Sequence, residues 1–220
     1  AYHQIGRTYY AQGEFDMALE TENKALALSL SLPDSIAFSA TCYNGLAIYL
    51  NSLGQADSAL ELHSKALKIR QDLGIKKDVA GSLNNIAIIL HNEGKRKEAQ
   101  EKYLKVKEIC ESINDTSGIG RALNNLATLE IEQSHYAEGM QLMYQALEIF
   151  EKLDDKFNML FISMNLSYLF ELHGQDELVK EYNKKVIGLA DSIGNKQFRA
   201  KAMASQGRLL IKNKSTSWLN

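Results

Sequence analysis

The strongest constraint on the fold is a phrase that recurs along the chain with a period of about 40 residues. Its clearest copies are Ser82-Leu83-Asn84-Asn85-Ile86-Ala87 and Ala122-Leu123-Asn124-Asn125-Leu126-Ala127. Fainter copies begin at Cys42 and Ser163. Turn-forming residues follow the copies at the same interval, namely Gly54, Gly94, Ser134 and Gly174. Self-similarity at this period indicates a solenoid of stacked supersecondary units.

Each repeat has the pattern of two amphipathic helices joined by a short turn. In the third repeat, Leu83, Ile86 and Leu90 recur at i, i+3 and i+7, which places them on one apolar stripe. Gly94 marks the turn, and the small residue Ala99 lies where the second helix must approach the first closely. The chain contains one proline, which agrees with an almost wholly helical protein. The pattern therefore predicts an all-α fold of five antiparallel helix pairs and a terminal helix.

The repeat boundaries predict a single array over residues 1–214 and a loosely ordered tail at 215–220. We expect the units at 1–33, 34–74, 75–114, 115–154 and 155–195, followed by a terminal helix at 196–214. The chain begins inside a repeat and without an initiator methionine. We interpret it as a fragment of a longer protein.

Charge and composition exclude several classes of partner. The formal net charge is −2, whereas a general binder of nucleic acids or anionic membranes is usually basic. No apolar run is long enough to predict a transmembrane helix. The two cysteines share no metal-binding spacing, and we expect both to be buried thiols. This favours a cytoplasmic location, with the periplasm as the alternative if the parent protein is a membrane-bound sensor.

Signals of catalysis are weak. Gly118-Ile119-Gly120 is similar to the start of a dinucleotide-binding loop, but the third glycine and a preceding strand are missing, so we interpret it as a repeat junction. The five histidines form no cluster with metal-ligand spacing. We therefore expect no enzymatic activity, no cofactor and no metal.

The order of small, apolar and turn residues resembles the tetratricopeptide repeat (TPR). The second unit shows it at Leu46, Ala47, Leu50, Gly54, Ala59 and Ala66. The period is longer than the usual 34 residues, which resembles the subset that includes kinesin light chains, adaptors with Leu-Gly-Asn repeats and bacterial TPR regulators. The resemblance implies a right-handed superhelical solenoid that binds other proteins and whose first helices line a concave groove.

Asparagines and apolar residues occupy the positions that this resemblance assigns to the groove. The candidate binding residues are Asn44, Asn84, Asn85, Asn124, Asn125, Asn165, Ile48, Ile88, His91, Arg121 and Tyr168. A carboxamide carries both a donor and an acceptor, so a row of them can pair with the main chain of an extended peptide. Alternatively, the asparagines join neighbouring helices. The two alternatives stay open for Asn85, Asn125 and Asn165, whereas peptide binding is favoured for Asn44, Asn84 and Asn124.

Two hypotheses of function follow. The first is an interaction scaffold that binds a partner peptide or helix in the concave groove. The second is the sensory input domain of a larger bacterial signalling protein, such as a histidine kinase or a transcription regulator. Both predict a protein or peptide partner and no binding of nucleic acid or membrane by this region, and both leave a homodimer open.

Overall fold

The computed structural model describes residues 1–217, with the side chains of all of these except 33, 210 and 212–217. This part of the chain consists of eleven α-helices and one short 3₁₀ turn, Pro33–Ser35, and contains no strand. The helices are α1 Tyr2–Gln12, α2 Phe15–Leu30, α3 Ile36–Ser52, α4 Ala56–Asp72, α5 Lys76–Asn92, α6 Arg96–Ser112, α7 Thr116–Glu132, α8 Tyr136–Lys152, α9 Lys156–Leu172, α10 Asp176–Ser192 and α11 Lys196–Ser217. The predicted all-α fold of helix pairs is confirmed.

Helix and turn lengths are nearly constant. Helices α3 to α10 each contain 17 residues. From α3 to α11, three residues connect each helix to the next, and the middle one has a positive φ, as at Gly94 (φ 76°). Glycine adopts this conformation without the steric cost that a Cβ imposes. Three of the middle positions carry another residue instead, namely Asn114, Ser134 and Asp154.

The chain divides into two compact units, 1–118 and 119–220. In the first unit, consecutive helices from α1 to α6 pack against each other. In the second unit, α8 packs on α9, α9 on α10, and α10 on α11, while residues of α7 and α8 share one core cluster with α9 and α10. The single array predicted over residues 1–214 stays a prediction.

The two helices of a pair approach each other closely at one small residue of the second helix. Ala59 and Ala99 occupy this position in the second and third pairs and are completely buried. In the fourth pair the residue is Gly139, where a Cβ would lie 2.5 Å from Cγ1 of Ile131 and 3.0 Å from the carbonyl oxygen of Ala127. The burial of Ala59 and Ala99 agrees with the close approach predicted there, and in the fourth pair a Cβ would have no space.

Another position on the second helix of each pair is buried in all five pairs, but the residue there differs in polarity and charge from pair to pair. Its residues are Glu22, His63, Tyr103, Met143 and Asn183, each at most 2 % exposed. The Glu22 carboxylate lies 2.7 Å from Nδ1 of His3, and a Cβ at Gly45 would lie 3.0 Å from its Cδ and Oε1. The glycine therefore makes room for the buried carboxylate.

The end of the chain differs from the prediction at one boundary. Helix α11 extends to Ser217, three residues beyond the predicted end at 214. The sequence between Lys212 and Ser217 contains neither glycine nor proline, so nothing in it stops the helix. The remaining tail residues, 218–220, lie outside the described part of the chain.

Substitution of Ala99 by leucine tests the close approach of α5 and α6. We expect the free energy of unfolding to fall by about 1–3 kcal/mol, because three added carbons have no space in a packed helix pair. Leucine at the exposed residue Ala137 is the matched control and should have little effect. Urea denaturation measures both, and an Ala99→Leu variant as stable as the parent would contradict the packing described here.

A substitution of His63 tests the buried position of α4. Burial, followed by the nearby Arg70 guanidinium, lowers the pKa of His63 from 6.5 to about 4. The unfolded chain then binds a proton that the folded chain does not, so stability is complete above about pH 6.5 and declines by up to about 3 kcal/mol as the pH falls to 4. Methionine, the residue of the fourth pair at this position, should remove that part of the decline.

Equilibrium denaturation at pH 7 and pH 5 compares His63→Met with the parent. The matched control is His135→Gln, because the side chain of His135 lies at the surface and is 58 % exposed. An acid sensitivity that is equal in the parent and in His63→Met would refute this role of His63.

Candidate functional site

The candidate residues of the first unit lie on α3 and α5. Asn44 and Ile48 are one turn apart on α3, and Asn85 and Ile88 are nearly one turn apart on α5. Three of these side chains are half-buried, and Ile88 is 37 % exposed. The two helices therefore present carboxamides next to aliphatic side chains.

Asn44 and Asn85 are joined by a hydrogen bond between the two helices. Nδ2 of Asn85 donates to Oδ1 of Asn44 at 2.9 Å. The alternative in which asparagines join neighbouring helices is therefore realised for this pair. The bond uses one donor of Asn85 and the acceptor of Asn44. The Nδ2 donor of Asn44 and the Oδ1 acceptor of Asn85 take part in no hydrogen bond within the described residues.

Asn84 and His91 also lie on α5, and both are half-buried. Each interacts with another residue of the protein. In the second unit, Asn125 and Arg121 of α7 are likewise engaged. These four residues are therefore already part of the protein's own contacts.

The second unit does not repeat the Asn44–Asn85 bond. Asn124 and Asn165 are separated by the same 41 residues as that pair, yet Oδ1 of Asn124 is buried without a hydrogen-bond partner. Asn165 instead lines a cavity of about 370 Å³ between α9, α10 and α11. Tyr168, which is 61 % exposed, lies on the wall of the same cavity.

The cavity is also lined by six polar residues that are not among the candidate binding residues. They are Ser167 and Glu171 of α9, Asn183 of α10, and Lys201, Ser205 and Arg208 of α11. Asn183 was not predicted to line a cavity, because it occupies a core position on the second helix of its pair. The available signal was its polarity at a position where the fourth pair carries Met143.

Most polar groups of the cavity wall have hydrogen-bond partners within the protein, but one does not. The Ser167 hydroxyl donates to Oδ1 of Asn183 at 2.9 Å, whereas Nδ2 of Asn183 is buried without a partner. Arg208 donates to both carboxylate oxygens of Glu171 at 3.2 Å, and the Ser205 hydroxyl donates to Oε2 at 3.0 Å. Glu171 is thus neutralised within the wall.

The glycine-rich segment at 118–120 lies within helix α7. A Cβ at Gly118 would collide with Sγ of Cys110, and one at Gly120 would lie 2.8 Å from Cζ of Phe150. These glycines therefore permit close packing, in agreement with a repeat junction. Throughout the described residues, no cluster of three or more His, Cys, Asp or Glu side chains is arranged to bind a metal ion.

No helix in the described part of the chain combines the length and hydrophobicity needed to cross a bilayer.

Solved structures with the same fold belong to several kinds of protein. A Rap protein complexed with Competence and Sporulation Factor is 17 % identical, with a TM-score of 0.80 over 91 % of this chain and 56 % of that one. A kinesin light chain-like protein of Podosopora anserina with nearly identical TPR-like repeats is 19 % identical, with a TM-score of 0.64 over 87 % of this chain and 94 % of that one.

A third similar structure is a signal transduction ATPase with numerous domains from Pyrococcus horikoshii, which has a tetratricopeptide repeat sensor. It is 20 % identical, with a TM-score of 0.73 over 93 % of this chain and 31 % of that one. The chain thus spans about half the length of the Rap protein and a third of the ATPase. At these identities the similarity shows a shared fold.

Among curated protein sequences, none matches the chain. A family model described as tetratricopeptide repeat matches residues 1–72 and 78–152, which together make up more than half of the protein. The helix pairs, the left-handed turns and the small residues at the close approach agree with this match. The chain therefore belongs to the tetratricopeptide repeat family.

Proposed function

We propose that this protein is an interaction scaffold that binds an extended peptide segment of a partner along α3 and α5. The TPR fold typically serves as a non-enzymatic scaffold, and the fold is shown here. The observation that supports the finer proposal is the Asn44–Asn85 hydrogen bond, together with the donor and the acceptor that it leaves unused.

The hydrogen bond orders both carboxamides before a partner arrives. Asparagine side chains lose rotamer freedom when they bind, and this loss opposes association. Because Asn85 already donates to Asn44, part of that cost has been met during folding. A pre-ordered pair binds a peptide more tightly than two freely rotating asparagines would.

The unused groups match the chemistry of a peptide main chain. Nδ2 of Asn44 can donate to a peptide carbonyl, and Oδ1 of Asn85 can accept from a peptide N–H. Main-chain pairing of this kind provides affinity for many sequences, whereas side-chain contacts provide specificity. Ile48 and Ile88, one turn along each helix, offer aliphatic contacts for apolar side chains of the partner.

The similarity to the Rap protein supports a peptide as the partner. That protein was crystallised in complex with Competence and Sporulation Factor, and its fold matches 91 % of this chain. The two proteins are only 17 % identical. Which peptide this chain binds therefore depends on its own residues.

A second candidate function is the sensory input domain of a larger signalling protein. The similarity to the repeat sensor of the Pyrococcus horikoshii ATPase, of which this chain covers 31 %, favours it. In that case the same surface binds the signal. The sequence of the full-length parent gene tests this candidate: an attached output domain would support it, and a gene without one would refute it.

The state of the cysteines fits the expected reducing compartment. Cys42 and Cys110 are both free and buried. Burial, reinforced by the Glu22 carboxylate, raises the pKa of the Cys42 thiol to about 12, so it is protonated and unreactive at neutral pH. We therefore propose that the protein works in the cytoplasm.

Substitutions on α5 test the proposed surface. We expect Asn85→Ala to weaken partner binding by about tenfold, because a pre-ordered acceptor and the hydrogen bond to Asn44 are both lost. We expect Ile88→Asp to abolish binding, since it places a charge against apolar side chains of the partner. Isothermal titration with a partner identified by affinity purification measures both effects.

The matched control is Leu104→Asp on α6. Leu104 is 52 % exposed but lies on the second helix of its pair, away from the asparagines. It should bind as the parent does, and circular dichroism should show equal helicity in all variants. Loss of binding in Leu104→Asp with retention in Ile88→Asp would contradict the proposal.

A further inference from the structure

We infer that Arg70 is a positioning residue for the proposed binding surface, because it fixes α5 at the rotation at which Asn85 meets Asn44. The inference rests on the proposed function for the use of this surface, but not for its geometry. Arg70 lies on α4, the second helix of its pair, whereas the asparagines lie on α3 and α5. Helix α4 packs against both α3 and α5, so an interaction that fixes α5 on α4 also fixes it relative to α3.

The Arg70 side chain contacts one turn of α5 in the interior of the first unit. Arg70 is 9 % exposed, and its Nη1 donates to Oγ of the completely buried Ser82 at 2.6 Å. A longer contact of 3.4 Å joins the same Nη1 to the carbonyl oxygen of Asp78, one turn earlier on α5. The guanidinium therefore contacts α5 at the two ends of a single helical turn.

The equivalent positions in the later helix pairs are buried and carry no charge. Because helices α4 to α11 follow one another at a constant interval, equivalent positions can be read directly along the chain. The buried equivalents of Arg70 are Cys110, Phe150 and Ala190, and those of Ser82 are Ala122, Ile162 and Ala202. The contact between neighbouring pairs is therefore packed elsewhere without an arginine.

The buried arginine is a weak source of stability but a strong source of orientation. Burial lowers the pKa of Arg70, an effect that the Asp78 carboxylate 4.0 Å away opposes, and Nε is buried without a hydrogen-bond partner. The desolvation of a charge offsets much of the energy of its hydrogen bonds, so apolar residues are often equally stabilising. Apolar contacts have no preferred direction, whereas the bond from Arg70 to Ser82 restrains the rotation of α5.

The bond between Asn44 and Asn85 depends on that rotation. Side-chain ends lie about 5–6 Å from a helix axis, so a rotation of about 10° moves them by about 1 Å. A displacement of this size is enough to take the Nδ2–Oδ1 distance from 2.9 Å beyond the range of a hydrogen bond. Ser82 lies three residues before Asn85 on the same helix, so its bond to Arg70 acts close to the asparagine.

The second unit provides an internal comparison. The asparagines equivalent to the bonded pair are Asn124 and Asn165, and Oδ1 of Asn124 is buried without a partner. In this unit, Phe150 and Ile162 replace the arginine and the serine. The asparagine bond is thus formed where the buried arginine is present and is not formed where it is replaced.

The test follows the side-chain amide of Asn85 by NMR of the ¹⁵N-labelled protein without any ligand. Asn44→Ala removes the acceptor and so provides the reference signal of the broken bond. In Arg70→Met, which keeps a long side chain but no charge, we expect the Asn85 signal to move towards that reference. Hydrogen exchange of this amide should become about fivefold faster, because one hydrogen bond of ordinary strength is lost.

Further variants separate positioning from a general loss of stability. Ser82→Ala introduces the residue that α7 carries at this position and should move the Asn85 signal in the same direction. The double variant with Arg70→Met should show no additional shift, since both substitutions remove the same bond. Lys68→Met is the matched control, because Lys68 is an exposed cation of α4. It should leave the Asn85 signal unchanged.

The outcomes of this test are independent of the partner. An Asn85 signal that stays at its parent position in Arg70→Met, or that moves equally in Lys68→Met, would overturn the inference. Either result would leave the proposed binding surface standing. Conversely, unchanged partner binding in Ile88→Asp would refute the proposed function, while a shifted Asn85 signal in Arg70→Met would still support the positioning role.

Discussion

The close contact between the two helices of each pair is the interaction on which the other features depend. Ala59 and Ala99 are completely buried at this contact, the fifth pair carries the buried Val179 at the same position, and at Gly139 a Cβ would lie 2.5 Å from Cγ1 of Ile131. From α3 to α10, helices of 17 residues and turns of three residues repeat at a constant interval. Each position on one pair then has an equivalent on the next, and the first helices of neighbouring pairs bring side chains such as Asn44 and Asn85 within hydrogen-bond distance.

Much of the fold could be predicted because it depends on local, repeated signals. The apolar stripe at Leu83, Ile86 and Leu90, the turn at Gly94 and the small residue at Ala99 each have a direct physical reason, and all are confirmed. The end of α11 was less predictable, because no residue before Ser217 stops the helix.

The candidate site was only partly predictable. Periodicity tells which face of a helix a residue occupies, but it does not tell which atom its side chain reaches. The Asn44–Asn85 bond was therefore one of two alternatives, and its absence at Asn124 could not be foreseen. Asn183 was missed for the opposite reason, since its position belongs to the core in every pair and only its polarity distinguishes it.

The most direct measurement of the central claim is the position at which a partner contacts the protein. A photoreactive benzophenone side chain placed at position 88 or at position 104 reports contacts on α5 and α6 separately. Irradiation of the complex and mass spectrometry of the crosslinked peptides should give partner crosslinks from position 88 and none from position 104. Crosslinks confined to position 104 would show that the partner binds the second helices of the pairs. That result would contradict binding of a peptide at Asn44 and Asn85.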